Sequence, residues 1–347
     1  MTSTTQAENS PHPLAGKILH GSEAIVQVLA DEGVDTIFGY SGGAILPTYD
    51  AVFRYNEAHQ AADGSAPMPL IVPANEQGAG FMAAGYARAS GKVGVCMVTS
   101  GPGATNTVTP VRDCMADSIP IIIICGQVPT TNIGTDAFQE APVSSILGAV
   151  AKHVFLVTKP TQLEATIRTA FEIARSGRPG PVVIDVPKDV QNWEGAFSGT
   201  GTLAVPGFRQ RINAIEENLL TDNECEAFFE LLKHSKQPLI YAGGGVVSAG
   251  ASDAMRRFAQ QFQIPVVTTL MGIGAADTTD ALSLHMLGMH GTAYANYAVE
   301  DCDFLITLGA RFDDRVAGVP KQFAPNAKHI AHFDIDSSEI GKVKAVD

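Results

Sequence analysis

Apolar positions fall along this chain in two rhythms. Short, mainly apolar runs stand at 69–72, 93–99, 119–125 and 182–186, and again at 239–242, 264–269, 304–308 and 329–335. Between them lie longer segments with apolar residues three and four apart. In one, Leu163, Ile167, Ala170, Phe171 and Ala174 share a face. In another, Ala24, Ile25, Val28 and Leu29 follow a candidate N-cap at Ser22 and stop at Gly33. A run without regular polar–apolar alternation has no solvent face, so these runs predict parallel strands covered by helices on both sides. A short strand is expected at 36–38, and helices at 104–117, 161–176, 251–262 and 292–299. The pattern therefore predicts two successive parallel-sheet α/β domains, at 15–190 and 221–347. A disordered tail is expected at 1–14. Periodicity fails at 56–68, read as a surface loop, and at 126–139, a long loop at a strand's carboxyl end. It fails again at 191–220, read as a linker because Gly195, Gly199, Gly201, Pro206 and Gly207 break it.

Composition narrows the function classes. The chain has 347 residues, 45% of them hydrophobic, and a net charge of −13. Such an acidic balance argues against nucleic acid or an anionic membrane as partner. The five cysteines are dispersed and odd in number, which suits reduced core thiols in a cytoplasmic protein better than a disulfide framework or a zinc site. Residues 1–13 contain neither an arginine nor an apolar run, so they match no secretory signal or typical transit peptide. The run at 119–125 is far too short to span a bilayer.

The candidate chemistry centres on Glu76. An apolar strand runs into this carboxylate, and a helix with Gly78, Gly80 and Gly85 follows directly. Each glycine inside a helix costs roughly 1 kcal/mol against alanine, so close approach of another backbone is the expected reason for three of them. A carboxylate there is held largely out of water, as groups that exchange protons often are. The plainer reading is a glutamate that favours its helix start through the dipole. Gly42 and Gly43 follow the strand at 36–38 and let backbone approach a ligand, or else form an ordinary tight turn. In the second domain, strands empty into Gly243-Gly244-Gly245, into Thr269-Leu270 and into Gly309. Such junctions suit a dinucleotide pyrophosphate, although three glycines alone are weak support. Arg311 and Arg315 flank two aspartates, an arrangement equally compatible with a surface salt-bridge cluster. His290 has no second histidine at metal-ligand spacing, so no metal site is assigned there.

Several longer words appear in one order. They are 38–47 (FGYSGGAILP), Glu76-Gln77-Gly78-Ala79-Gly80, 99–106 (TSGPGATN), 134–140 (GTDAFQE) and Leu287-Gly288-Met289-His290-Gly291. Together they resemble the catalytic, or large, subunit of acetohydroxyacid synthase (acetolactate synthase), a thiamine-diphosphate enzyme. The likeness runs from about Lys17 to the last residue. It implies a pyrimidine-binding domain followed by a Rossmann-like FAD-binding central domain. It also implies that Glu76 bonds a ring nitrogen of the aminopyrimidine and favours the imino tautomer that deprotonates the thiazolium carbon. Pyruvate would then be decarboxylated and its two-carbon unit passed to a second 2-oxo acid, pyruvate or 2-oxobutyrate. This is the first common step of branched-chain amino-acid synthesis.

By the same resemblance, Gly42, Gly43 and Ala44 lie near the reacting centre, and Phe138, Gln139 and Lys188 line its access channel. Read without the family, Gln139 is a loop amide and Lys188 a solvated lysine. FAD contacts are implied for Arg178, for Gly243, Gly244, Gly245, Thr269 and Leu270, and for Leu287, Gly288, Met289, His290 and Gly291. They are implied also for Gly309, Arg311, Asp313, Arg315, Asp334 and Ile335. The family's flavin is mainly structural. Ser41 replaces a proline common in the family. No Gly-Asp-Gly occurs, although the family uses that motif to hold Mg²⁺ and the diphosphate in a third domain. The chain is therefore expected to be incomplete and inactive alone, and to form a homodimer or homotetramer, with or without a small regulatory subunit. In such an assembly the helix after Glu76 would make a two-fold contact through Gly80. The alternatives are another thiamine-dependent carboligase or acetyltransferase, or a non-catalytic FAD-binding or oligomerisation fragment.

Overall fold

The computed structural model describes residues 11–217 and 219–347. They divide into two compact units between Phe208 and Arg209. Both units are built on parallel sheets, as the apolar runs require.

In the N-terminal unit the main sheet has six described strands, beside a two-stranded antiparallel ribbon. Its spatial order is Leu70–Ile71, Ile37–Tyr40, Gly94–Val98, Ile121–Gln127, Val182–Pro187 and His153–Leu156, every pair parallel. The three central strands from Gly94 to Pro187 are buried at every position, which is why their sequences carry no alternation. The chain adds a strand on one side of Ile37–Tyr40, then continues on its other side with Gly94–Val98. A crevice therefore opens between the carboxyl ends of those two strands, the usual ligand position in open α/β sheets.

The C-terminal unit repeats the logic. Its described strands order as Ser283–Met286, Val266–Thr268, Pro238–Ala242, Phe304–Leu308 and His329–Phe333, all parallel. Here the switch lies between Pro238–Ala242 and Phe304–Leu308. Among the described residues no helix is long and apolar enough to cross a membrane. All five cysteines are free, and four are buried. Burial pushes the Cys114 and Cys302 thiols up to about 12, so both stay protonated at neutral pH.

Four readings of the sequence need correction. Residues 1–10 of the expected tail lie outside the described residues, but the rest of it is tied down. His12 stacks edge-on against Phe197 at 5.1 Å, and Gly16 N donates to Phe197 O at 2.9 Å. The stretch 191–220 contains the strand Glu194–Ala196, paired antiparallel with Ile18–His20, and the helix Phe208–Glu217. The helix expected at 104–117 is two, Pro102–Thr105 and Val108–Asp117: Pro110 has no N–H to give Asn106 O and its ring crowds that carbonyl, while the Thr107 hydroxyl turns back to Ala104 O at 2.7 Å. Gly80 faces this chain's own Pro110: a Cβ there would lie 2.5 Å from Pro110 Cγ. The close approach is real, but it packs the helix Glu76–Ser90 on Val108–Asp117 rather than on another copy.

One buried carboxyl sets a pH dependence. Asp185, on the strand Val182–Pro187, is 1% exposed. Gln127 Nε2 donates to its Oδ2 at 2.9 Å, and its Oδ1 has no partner among the described residues. Burial pushes this carboxyl up to about 7, against the opposing pull of Gln127. The folded unit therefore holds a proton that the unfolded chain releases near pH 4. Stability from this group is complete below pH 4 and falls as pH rises toward 7. Asp185→Asn, a mimic of the protonated form, is expected to flatten that decline. It should also raise the unit's Tm at pH 8 by roughly 3–8 °C. Parallel pH–Tm profiles for parent and variant would contradict this.

Candidate functional site

The N-terminal unit gathers its chemistry at the carboxyl edge of its sheet. Asn75 caps the helix Glu76–Ser90, its side-chain oxygen accepting from Gly78 N at 2.8 Å. The cap is thus a neighbour's task, and Glu76 at the first helical position is left for other work. Its carboxylate is only 9% exposed. Asn106 Nδ2 donates to Oε2 at 2.8 Å, while Oε1 accepts no hydrogen bond from the described residues. The interruption between Pro102–Thr105 and Val108–Asp117 is what turns Asn106 toward Glu76. Its buried charge is felt on the neighbouring strand: burial first, then Glu76, raises the Cys96 thiol.

Thr99 joins this carboxylate to the glycine loop. A Cβ on Gly103 would lie 2.7 Å from Thr99 Cγ2 and 3.6 Å from Glu76 Oε1. A Cβ on Gly42 would lie 2.6 Å from Thr99 Cβ. The Ala44 amide donates to Thr99 Oγ1 at 3.3 Å. Gly42 and Gly103 are therefore glycine for want of space, whereas a side chain on Gly43 would meet nothing within 4 Å. Gly43 presents bare backbone to open space beside the carboxylate.

Gln139 comes to the same edge. It has φ +56°, and its carbonyl lies 2.4 Å from where a Cβ on Gly101 would stand. Phe138 beside it is 87% exposed. Lys188 directly follows the strand Val182–Pro187 and makes no ion pair among the described residues. Its neighbour Asp189 accepts from Thr130 N at 2.9 Å, anchoring the base of the loop that carries Gln139. Arg178 is the exception. It precedes Val182–Pro187 and donates to Ser118 Oγ at 2.8 Å, so it lies at the opposite, amino edge of the sheet.

In the C-terminal unit, apart from Arg178, every residue expected to contact a flavin falls at one edge of one sheet. Gly243–Gly245, Thr269–Leu270, Leu287–Gly291, Gly309–Arg315 and Asp334–Ile335 follow the five strand ends in turn. At the switch point the two glycine junctions touch: Gly243 N donates to Leu308 O and Gly245 N to Gly309 O, both at 2.9 Å. Gly288 has φ +91°, and its backbone is gripped at both ends by Asn296, at 2.9 Å and 3.1 Å. Met289 N donates to Arg315 O at 3.0 Å, joining two of the loops. Leu270, Met289 and Ile335 expose large apolar side chains along this edge, with Arg315 exposed beside them. Bare backbone, apolar surface and cations together suit a ligand with rings and phosphates. Among the described residues no group of three or more His, Cys, Asp or Glu is placed to hold a metal ion.

Sequence pattern alone does not single out Asn106, Asn296 or Gln191. Asn106 ends a recognisable word, but its role depends on a helix break that periodicity does not reveal. Asn296 sits inside an ordinary helix pattern.

Comparison with known proteins agrees with this division. Residues 19–146 match the thiamine pyrophosphate enzyme N-terminal TPP binding domain, and residues 225–347 match the thiamine pyrophosphate enzyme central domain. The chain is 47% identical over 335 residues to the acetolactate synthase large subunit of Parasynechococcus marenigrum, covering 96% of this chain and 52% of that protein. It is 46% identical over 330 residues to the chloroplastic acetolactate synthase of Arabidopsis thaliana, covering 93% and 46% respectively. The probable acetolactate synthase large subunit of Methanocaldococcus jannaschii is 46% identical, with 93% and 52% covered. The chain spans about half the length of the curated relatives it matches.

Proposed function

Because the chain belongs to the thiamine pyrophosphate enzymes through two of their domains, we propose that it forms the pyrimidine-binding and flavin-binding part of an acetolactate synthase catalytic chain. The observation that carries this reading is Glu76: buried, held by Asn106 on one oxygen, and open on the other at the sheet's switch point.

Thiamine diphosphate, when bound, supplies the carbon nucleophile and electron sink for 2-oxo acid decarboxylation. Glu76 Oε1 is the atom placed to bond a ring nitrogen of its aminopyrimidine and to hold or release a proton there. Asn106 fixes the carboxylate's rotation. The backbone of Gly42–Ala44 walls the crevice without crowding it. The loop carrying Phe138 and Gln139 borders the approach, and the Lys188 ammonium draws in the carboxylate of pyruvate or of a second 2-oxo acid. FAD fits the glycine-rich edge of the C-terminal unit, where Arg311 and Arg315 complement its phosphates. Mg²⁺ and the diphosphate would be held by residues outside this chain. The free cysteines suit a reducing compartment such as the cytoplasm.

A second copy is the proposed partner of the helix Glu76–Ser90. Gly78, Phe81, Met82 and Gly85 form a stripe along it, with Phe81 and Met82 exposed at 40% and 44%. Exposed Ile71 and Val72 just precede that helix. Phe81→Asp is expected to shift sedimentation from dimer to monomer at micromolar concentration. An unchanged sedimentation profile would place any dimer contact elsewhere.

The function itself is tested by joining this chain to the C-terminal part of the Parasynechococcus marenigrum large subunit. The chimera is expected to form acetolactate from pyruvate when supplied with thiamine diphosphate, Mg²⁺ and FAD. A folded chimera that binds the cofactors yet consumes no pyruvate would overturn the proposal.

A further inference from the structure

Gln191 has no exposed surface, yet it uses its whole amide. Nε2 donates to Ala44 O at 2.8 Å and to Val186 O at 3.0 Å, and Oε1 accepts from the Thr48 hydroxyl at 2.9 Å. Three separate parts of the fold meet at one side chain: the glycine loop, the helix Leu46–Ala58 and the end of the strand Val182–Pro187. Thr48 is itself fully buried. The two carbonyls fix which end of the amide faces them, since only Nε2 can donate, and the Thr48 hydroxyl then donates to the oxygen that is left.

The Ala44 carbonyl has little freedom on its other side. A Cβ on Gly126 would lie 2.5 Å from it, so Gly126 backbone is packed against the loop. Across the peptide, the Ala44 amide reaches Thr99, whose methyl stands 2.7 Å from the Cβ position of Gly103 beside Glu76. Hydrogen bonds thus link Gln191 through Ala44 to Thr99, and Thr99 and Glu76 both stand close around Gly103. A buried amide kept only for packing would be replaceable by an apolar side chain of equal length. Here that exchange would remove the bonds Gln191 gives to two carbonyls and accepts from a hydroxyl around the loop.

We infer that Gln191 is a positioning residue, acting through Ala44 to set the Gly42–Ala44 backbone against Glu76. This inference rests on the proposed function for its catalytic meaning, but not for its geometry.

Hydrogen exchange on this chain tests the geometry without any cofactor. Gln191→Met is expected to speed exchange of the Ala44 and Ile45 amides at least tenfold. Amides of Gly94–Val98 should stay within about twofold of the parent. Equal protection of Ala44 and Ile45 in parent and variant overturns the inference. So does a uniform loss across the unit in both Gln191→Met and the milder Thr48→Val, which removes only the donor to Oε1. If Gln191→Met fails to fold, a local rise at Ala44 and Ile45 in Thr48→Val supports the inference.

In the chimera, Gln191→Met should lower kcat about 10–100-fold per folded molecule, with KM for pyruvate within about threefold. An unchanged kcat overturns the inference. A parent chimera that turns over no pyruvate overturns the proposed function instead, and leaves the exchange result to decide the role of Gln191.

Discussion

Glu76→Gln in the chimera is expected to lower acetolactate formation by about 10²–10⁴-fold, the usual weight of a positioned acid–base group. The substitution keeps size and shape. The new amide oxygen can still accept from Asn106, so the 2.8 Å bond that holds the side chain survives. What disappears is the ability of the other atom to take up and return a proton. Asn75 remains as helix cap, so the stability cost should be confined to the lost charge–dipole interaction, about 0.3–1 kcal/mol. An ordinary helix-start glutamate would lose the same amount but leave turnover untouched. Affinity for FAD should also be unaffected, because the flavin edge belongs to the other unit. Steady-state kinetics normalised to folded protein, with a thermal melt of the same samples, decides between the two.

Gly243→Ala is expected to have the largest effect in the C-terminal unit. The added carbon would stand 2.2 Å from Gly309 O and 2.6 Å from Ala310 Cα. Both obstacles are backbone, and Gly309 already occupies φ +53°, so no flexible side chain can swing aside. The two central strands must separate at the switch point, breaking the bonds from Gly243 to Leu308 and from Gly245 to Gly309. A destabilisation of about 1–3 kcal/mol or more follows from overpacking of this kind. FAD binding, followed by quenching of flavin fluorescence, should weaken at least tenfold even in molecules that remain folded. Gly148→Ala is the control: nothing stands within 4 Å of its Cβ position, and it should leave the flavin titration unchanged. Equal flavin affinity in Gly243→Ala and the parent would remove the glycine edge from the proposed site.

Sequence is most legible in this fold where burial is uniform. The apolar run at 304–308 coincides with its strand to the residue, and the buried centre of each sheet agrees within two residues, because a strand covered on both faces strongly favours apolar side chains. The edge strands His153–Leu156 and Ser283–Met286 carry no such mark, since a partly exposed edge tolerates polar residues such as His153 and Ser283. The flavin edge is legible because glycine weakens a strand end and is kept there chiefly where backbone must turn or approach closely. Gln191 is hidden by its surroundings: glycines and prolines downstream make 191–220 resemble a linker, and nothing local marks a glutamine whose partners lie 143 and 147 residues away. Gly80 is legible as a close approach, but what approaches is the ring of Pro110 rather than a backbone. Spacing on one helix carries no information about the identity of its neighbour.

If Glu76 serves the proton chemistry of a pyrimidine bound at this edge, the effect must appear on the cofactor itself. The most direct measurement is the NMR-detected rate of proton exchange at C2 of thiamine diphosphate bound to the chimera. Parent and Glu76→Gln should be compared as folded, cofactor-saturated protein. Exchange at least about a hundredfold slower in the variant is expected, in keeping with the weight of a positioned acid–base group. A rate within a few-fold of the parent's would contradict the role assigned to Glu76.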